Sequence, residues 1–469
     1  MVDEERYKII NGDSLKVLDT FEENSVDAIV TDPPYELGFM GKKWDSTGIA
    51  YNVELWKKAL KVLKPGGYLL AFGGSRTYHR IACAIEDAGF EIRDTIMWLY
   101  GSGFPKSMNI GLMLDKKNGV ESKVVGTGRC GKNRLMGGLR NEEHPTSFEI
   151  KQAQNKWAGW GTCLKPAFEP IIVARKPVEN SVLENVEKYG VGGINIDECR
   201  VGNEHFEIRD GEYDNNENQR CFGNVKRPPK EYDGRFPANV ILTYDETDFD
   251  EVCGGMPETK SAQTEEDNRI NQGNSMFIDG KHNPENSYND NGNACRYFYC
   301  AKASKKDRDS GLIRYEEKTG VDITGRKENS NGLTWDGGEY PYGNAFAGAG
   351  SPKKNIHPTV KPVELMQYLV RLVTPKGGFV LDIFNGSGST GKAVAFENRE
   401  RDADYKYIGI ELDPEYCEIS KSRIDYAVNK FEYDLIEEIE ENEKKGQLSL
   451  FDFEEENNEI QGNDNSTTD

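Results

Sequence analysis

A chain of 469 residues can hold two or three domains, and its formal charge of −21 argues against an overall basic surface that grips nucleic acid indiscriminately. No apolar run reaches transmembrane length and Met1–Arg6 leads straight into a strand, so neither a membrane span nor a signal peptide is expected, and a cytoplasmic protein is. The nine cysteines are scattered with no Cys-x-x-Cys, which fits reduced thiols; a zinc site drawing on Cys253, Cys295 and Cys300 is the alternative.

Tyr7-Lys-Ile-Ile-Asn-Gly-Asp13 reads as a strand and turn, and Ser14–Phe21 as an amphipathic helix with Leu15 and Leu18 inward and Ser14 as its cap. Val26-Asp-Ala-Ile-Val30 has the look of a buried parallel strand. It runs into Thr31-Asp-Pro-Pro-Tyr35, where two prolines end the ladder because neither can donate a backbone hydrogen bond. The stiff backbone fixes Asp32, the Pro33 carbonyl and the Tyr35 ring relative to one another at the carboxyl edge of a sheet, where α/β proteins bind ligands. Two acceptors and an aromatic plane suit a planar substrate carrying an amino group. A plain strand-to-loop turn would read the same way.

The stretch Glu36–Asp45 is rich in glycine and aromatics, as a loop closing over a substrate would be, with Phe39 and Trp44 as candidate stacking partners or simple packing residues. Helices over Trp56–Leu63 and Thr77–Ala88 alternate with strands over Tyr68–Phe72 and Glu91–Leu99, the first helix stopped by Pro65-Gly-Gly67 and the second by Gly89. That alternation is the mark of a parallel α/β sheet. It breaks at Gly101–Ser107, beyond which Arg129, Lys132, Arg134 and Arg140 lie among glycines in either a DNA-contacting or a merely solvated loop. Phe168–Lys176 returns to strand. Between Pro177 and Asn355 the polar load rises, with asparagine-rich runs at Asp214–Asn218 and Asn283–Asn293, and apolar islands at Ile194–Ile196, Phe236–Leu242, Arg296–Ala301 and Leu333–Trp335. A small domain of strands and long loops is expected there.

Phe379-Val-Leu-Asp-Ile-Phe384 is a second buried strand, followed by Asn385-Gly-Ser-Gly-Ser-Thr-Gly391 and a helix over Lys392–Asn398. Glycines between a strand and a helix N-terminus let the backbone approach a ligand closely. About 20 residues further on, the strand Tyr407-Ile-Gly-Ile-Glu411 ends in an acid, the spacing at which nucleotide-binding folds place a carboxylate on ribose hydroxyls.

Asp-Pro-Pro-Tyr, the Phe-x-Gly-x-Gly-x-Thr loop and His357-Pro-Thr-Val-Lys-Pro362 together resemble the amino-methyltransferases of DNA, and their order is that of the permuted β class. The resemblance covers the two ends of the chain up to the tail and matches the middle only in patches. It implies a circularly permuted, Rossmann-like α/β sheet that binds S-adenosylmethionine, acts on double-stranded DNA and methylates the N6 amine of a flipped adenine. Catalysis falls to Asp32, Pro33, Pro34 and Tyr35. The cofactor falls to Asp382, Phe384, Gly386 and Gly388, with Asp13 on its adenine amine, Glu411 on the ribose, and Thr359 and Lys361 on the methionine carboxylate. Asn385 and Ser389 stand where relatives often carry alanine and threonine. The implied division is a catalytic half over 1–103, an inserted loop region over 104–160, the last sheet strand over 161–177, a target-recognition region over 178–354, a cofactor half over 355–430 and an acidic disordered tail over 431–469. Cytosine-N4 methylation, and a DNA-binding accessory protein with a dead cofactor site, stand as alternatives. No metal is implied.

From Glu437 to Asp469 twelve acids face Lys444 and Lys445, so the tail carries about half of the excess charge, while basic residues gather at Arg129–Arg140 and Lys302–Arg308. Within the tail, Gln447, Leu448, Ser449, Leu450 and Phe451 resemble the short motif by which bacterial replication and repair proteins dock on the sliding clamp. A short peptide on a long tether recruits an enzyme without constraining its active site.

Overall fold

The computed structural model describes residues 6–37, 43–100, 107–129, 147–208, 230–244, 258–260, 291–293, 298–302, 305–318, 334–335, 338–339, 354–431 and 433. Among the described residues nine strands form the central sheet: β1 (Tyr7–Asn11), β2 (Val26–Thr31), β3 (Leu63–Phe72), β4 (Glu91–Tyr100), β5 (Phe168–Arg175), β6 (Val240–Tyr244), β7 (Tyr299–Lys302), β8 (Phe379–Asp382) and β9 (Lys406–Glu411). They lie in the order β1-β9-β8-β2-β3-β5-β4-β6-β7. Only β5 runs antiparallel, between β3 and β4. The sheet is thus the expected α/β type, with Phe168–Arg175 as its reversed strand.

Strand register follows from apolar alternation. Tyr68, Leu70 and Phe72 of β3 enter one core, with Val30 and the helix Val363–Val373, while Leu69 and Ala71 enter the other, with Ile29, Trp56 and Ile81. Both faces are covered, which is why β2 is buried along its whole length. The helix Val363–Val373 is buried almost all round. Its one guanidinium, Arg371, makes paired hydrogen bonds of 2.9 and 2.6 Å to Glu397, which is only 1% exposed.

What matters for the site is the contact of β2 with β8, where Val380 faces Ala28 and Leu381 faces Ile29. Their carboxyl ends meet through Asp382, whose carboxylate accepts from Thr31 Oγ1 at 2.7 Å and Thr390 Oγ1 at 2.6 Å. Two loops some 350 residues apart in the chain therefore open side by side.

Several expectations change. The first helix is short, Ser14–Val17, continued by a 3-10 turn over Leu18–Thr20. Its cap is Asp13, which accepts from Leu15 N, while Ser14 Oγ donates to the Ile383 carbonyl. The helix read over Trp56–Leu63 spans Val53–Val62, capped by Asn52, and β3 starts at Leu63. Pro65-Gly-Gly67 does not interrupt that strand, because Gly66 takes a left-handed φ of +81° and the ladder to β2 resumes after a register shift.

The region 178–354 contributes two strands to the central sheet. Its strand β6 pairs in parallel with β4 and carries β7 beyond it, so both extend the main sheet. Trp98 Nε1 donates to Thr243 Oγ1 at 2.8 Å, and Tyr299 stacks on Tyr368 with ring centroids 4.1 Å apart. Of the basic residues at Lys302–Arg308, Arg308 donates to the carbonyls of Asn355 and His357. The 104–160 region holds a hairpin of Lys123–Arg129 with Ser147–Gln152. Lys132, Arg134 and Arg140, the asparagine-rich run 214–218, Cys253 and Cys295, Phe39, the Trp44 side chain and Gln447–Phe451 lie outside the described residues. Among the described residues no helix is long and apolar enough to cross a membrane, and no cluster of His, Cys, Asp and Glu has the makings of a metal site.

Candidate active site

A cavity of about 1770 Å³ opens where β2 and β8 end. Its lining includes Asp13, Asp32, Pro33, Pro34, Tyr35, Thr359, Lys361, Asp382, Phe384, Gly386 and Glu411. Every catalytic or cofactor residue that the resemblance implies is therefore at this cavity except Gly388, which caps the helix Ser389–Arg401.

One wall is built around Asp32. Its Oδ2 accepts from Lys361 Nζ at 2.5 Å, and its Oδ1 is buried with no hydrogen-bond partner. A buried acceptor without a donor costs free energy, so such an oxygen is a place where a ligand donor belongs. Glu169, near the start of β5, accepts from Tyr35 Oη at 2.6 Å and Tyr100 Oη at 3.3 Å, and lies 3.6 Å from Lys361 Nζ. Burial raises the Asp32 pKa, Lys361 opposes that rise, and Glu169 adds to it. Burial also presses on the Lys361 ammonium, but Asp32 and Glu169 more than offset it and keep the lysine charged. Tyr35, buried beside two carboxylates, stays a neutral phenol.

Beyond Tyr35 the chain is tied down by reciprocal carboxylates. Asp45 accepts from the backbone of Glu36 and Leu37, and Glu36 accepts from Gly48 and Ala50. Glu36 sits at φ +55°, an uncommon conformation for a residue with a Cβ, which these contacts hold in place.

The opposite wall is the glycine loop. Gly386 and Gly388 adopt left-handed φ of +52° and +77°. A Cβ on Gly386 would lie 2.9 Å from His357 Nε2, and one on Gly388 only 2.2 Å from Ser420 Oγ. The loop is pinned from below by Arg423, fully buried, which donates to Ser387 and Ser389. Lys392 joins it to the segment 307–310 through Asp307 and Ser310. Glu411 at the end of β9 accepts from Gly386 N at 2.7 Å and Asp413 N at 2.8 Å, and burial pushes its pKa up to about 7. Burial holds Asp382 at about 6 against the donors Thr31, Thr390 and Phe384 N. Those three donors already occupy both Asp382 oxygens, so Asp382 shapes the loop from behind.

Two residues with clear roles in this geometry were given none by the sequence. Glu169 is an acid opening an otherwise apolar strand, Phe168-Glu-Pro-Ile-Ile-Val173, and that mismatch was its one signal. His357 lies against Gly386, and burial drives its pKa down to about 3, so it is a neutral ring there. Lys361 lines the cavity together with Thr359. It is committed to Asp32, with its ammonium 5.3 Å from the Tyr35 ring centre and 5.0 Å from that of Phe72.

Residues 26–422 match the family described as DNA methylase. A type II methyltransferase of Haemophilus influenzae, M.HindIII, is 22% identical over 43% of this chain and 68% of its own length. M.HpaI of Haemophilus parainfluenzae is 32% identical over 21% of this chain, but only 34% of its own length is covered. Among solved structures, the cytosine-N4-specific PvuII DNA methyltransferase covers 90% of this chain and 93% of its own at 14% identity, with a TM-score of 0.37.

Proposed function

Because the chain belongs to the DNA methylase family, we propose that it methylates the N6 amine of adenine within a specific sequence of double-stranded DNA. S-adenosylmethionine is the cofactor, and when bound it supplies a methyl group already activated by a sulfonium. The glycine-loop wall fits such a ligand. Gly386 leaves the backbone bare where any side chain would strike His357. The Glu411 carboxylate suits ribose hydroxyls, and Phe384, Ile410 and Leu412 give an apolar face for a purine. Asp13 and Thr359 also line the cavity; Asp13 is assigned to the adenine amine and Thr359 to the methionine carboxylate.

The observation that carries the reading is the unpartnered, buried Oδ1 of Asp32 in a cavity shared with that loop. An exocyclic amine is a poor nucleophile because its lone pair is delocalised into the ring. Asp32 Oδ1 and the Pro33 carbonyl each accept one N–H and draw the nitrogen toward tetrahedral geometry. The lone pair is then free to attack, and the site holds the groups in line. An amine inside the duplex is out of reach, so the base is flipped into the cavity and stacks on Tyr35. Arg76 and Lys165 at the lining offer phosphate contacts that the overall acidity does not provide. Aspartate rather than serine before Pro-Pro-Tyr favours adenine over cytosine. Choice of sequence is assigned to 178–354 with the 104–160 insertion, and the tail motif Gln447–Phe451 to sliding-clamp docking on the sequence alone. Single-molecule sequencing of DNA from cells expressing the protein tests the reading. Modified adenine in one motif supports it, and unmodified DNA refutes it.

A further inference from the structure

Two further charged groups, Glu169 and Lys361, gather around Asp32, where the proposed chemistry uses Asp32 alone of the three. Lys361 Nζ is 2.5 Å from Asp32 Oδ2 and 3.6 Å from Glu169 Oε2, and its side chain is only 7% exposed. Tyr35 and Phe72 rings flank the ammonium. The Lys361 ammonium is thus engaged by two carboxylates and two ring faces. Glu169 in turn fixes the Tyr35 hydroxyl and so the plane of the ring.

We propose that Lys361 and Glu169 are an opposed pair of positioning residues acting through Asp32, Lys361 keeping it an acceptor for the target amine and Glu169 setting how strongly it holds that state. This rests on the amine-methylating reading above. Asp32 accepts from an amine at full strength only as a carboxylate, since a protonated oxygen becomes a donor. Burial works against the ionised form, and one ammonium at hydrogen-bond distance works for it. With Lys361 holding Oδ2, the aspartate cannot turn both oxygens to one partner, which leaves Oδ1 without a donor of its own. Glu169, bridging the ammonium and two phenols, competes for the same positive charge. The other titratable groups around Asp32 are Tyr35 and Asp382, with Tyr100 behind Glu169 and His357 near Lys361. The tyrosines stay neutral and His357 is uncharged above about pH 3. Lys361 and Glu169 are thus the two neighbours whose replacement moves Asp32 in opposite senses.

The experiment is the pH profile of kcat for methyl transfer to DNA in the wild type, Lys361→Met, Lys361→Arg and Glu169→Gln, alongside the calorimetric Kd for S-adenosylmethionine. The acid limb rises by about one pH unit or more in Lys361→Met. It falls below the wild-type value in Glu169→Gln and stays near it in Lys361→Arg, while the cofactor Kd changes by less than about threefold in all of them. A purely structural role would lower kcat at every pH without moving the limbs apart. Limbs that coincide or move in the same sense overturn the proposal. So does a tenfold loss of cofactor affinity in Lys361→Met, which would return Lys361 to the methionine carboxylate. If Lys361→Met does not fold, the downward shift in Glu169→Gln decides alone. A wild type that methylates no DNA refutes the underlying reading instead, and the two failures are distinct.

Discussion

Asp32→Ala removes one of the two acceptors that the target amine would meet, the buried Oδ1. The fold should survive, because Lys361 retains Glu169 at 3.6 Å as a counter-charge and the β2–β8 junction is held by Thr31 and Asp382. A stability loss of about 1–3 kcal/mol is expected from the ammonium's lost partner. Catalysis loses more. One preorganised hydrogen bond made in the transition state is worth about 3–4 kcal/mol, a rate loss of about 10²–10³-fold. Tritium transfer from labelled S-adenosylmethionine to duplex DNA measures it, with calorimetry to show cofactor affinity within about threefold of the wild type. A variant that keeps more than about a tenth of the wild-type rate would refute the acceptor role, since that is less than 1.4 kcal/mol.

Gly388→Ala should cost about 1–3 kcal/mol for the left-handed backbone alone, before the clash with Ser420 Oγ, and urea unfolding with and without cofactor reads it. Glu411 titrates near 7 in the folded protein, above its unfolded value, so its contribution to stability is fully present in acid and is lost as pH rises through 7. Ribose hydroxyls donating to the ionised carboxylate would reverse that cost, so cofactor affinity should strengthen from pH 6 to 8 in the wild type and stay flat in Glu411→Gln; calorimetry at each pH checks it. A fluorescent peptide spanning Lys444–Glu455 should bind bacterial sliding clamp at micromolar affinity, and Leu450→Ala with Phe451→Ala should erase the signal; equal signals from both peptides would end that idea.

The parts of this site legible in the sequence are those with local causes. Proline pairs end strands, glycines admit left-handed turns, and an acid at a strand end has few other reasons to be there, so Asp32, Gly386, Gly388 and Glu411 stood out. Partners separated by long stretches of chain did not. Nothing local to Lys361 says that its ammonium meets Asp32 rather than a ligand, and Glu169 owes its place to an antiparallel strand inserted between β3 and β4. The same holds for β6 and β7, whose short apolar islands carry no mark of which sheet edge they join. Asp13 replaced Ser14 as a helix cap because Ser14 is drawn to the Ile383 carbonyl across the sheet.

The central claim is tested most directly by methylating duplex DNA with S-adenosylmethionine carrying a deuterated methyl group, digesting the product to nucleosides and weighing them by mass spectrometry. The account predicts label in N6-methyldeoxyadenosine, lost in Asp32→Ala. Label in N4-methyldeoxycytidine would contradict the choice of base, and label in neither nucleoside would contradict the account of the site.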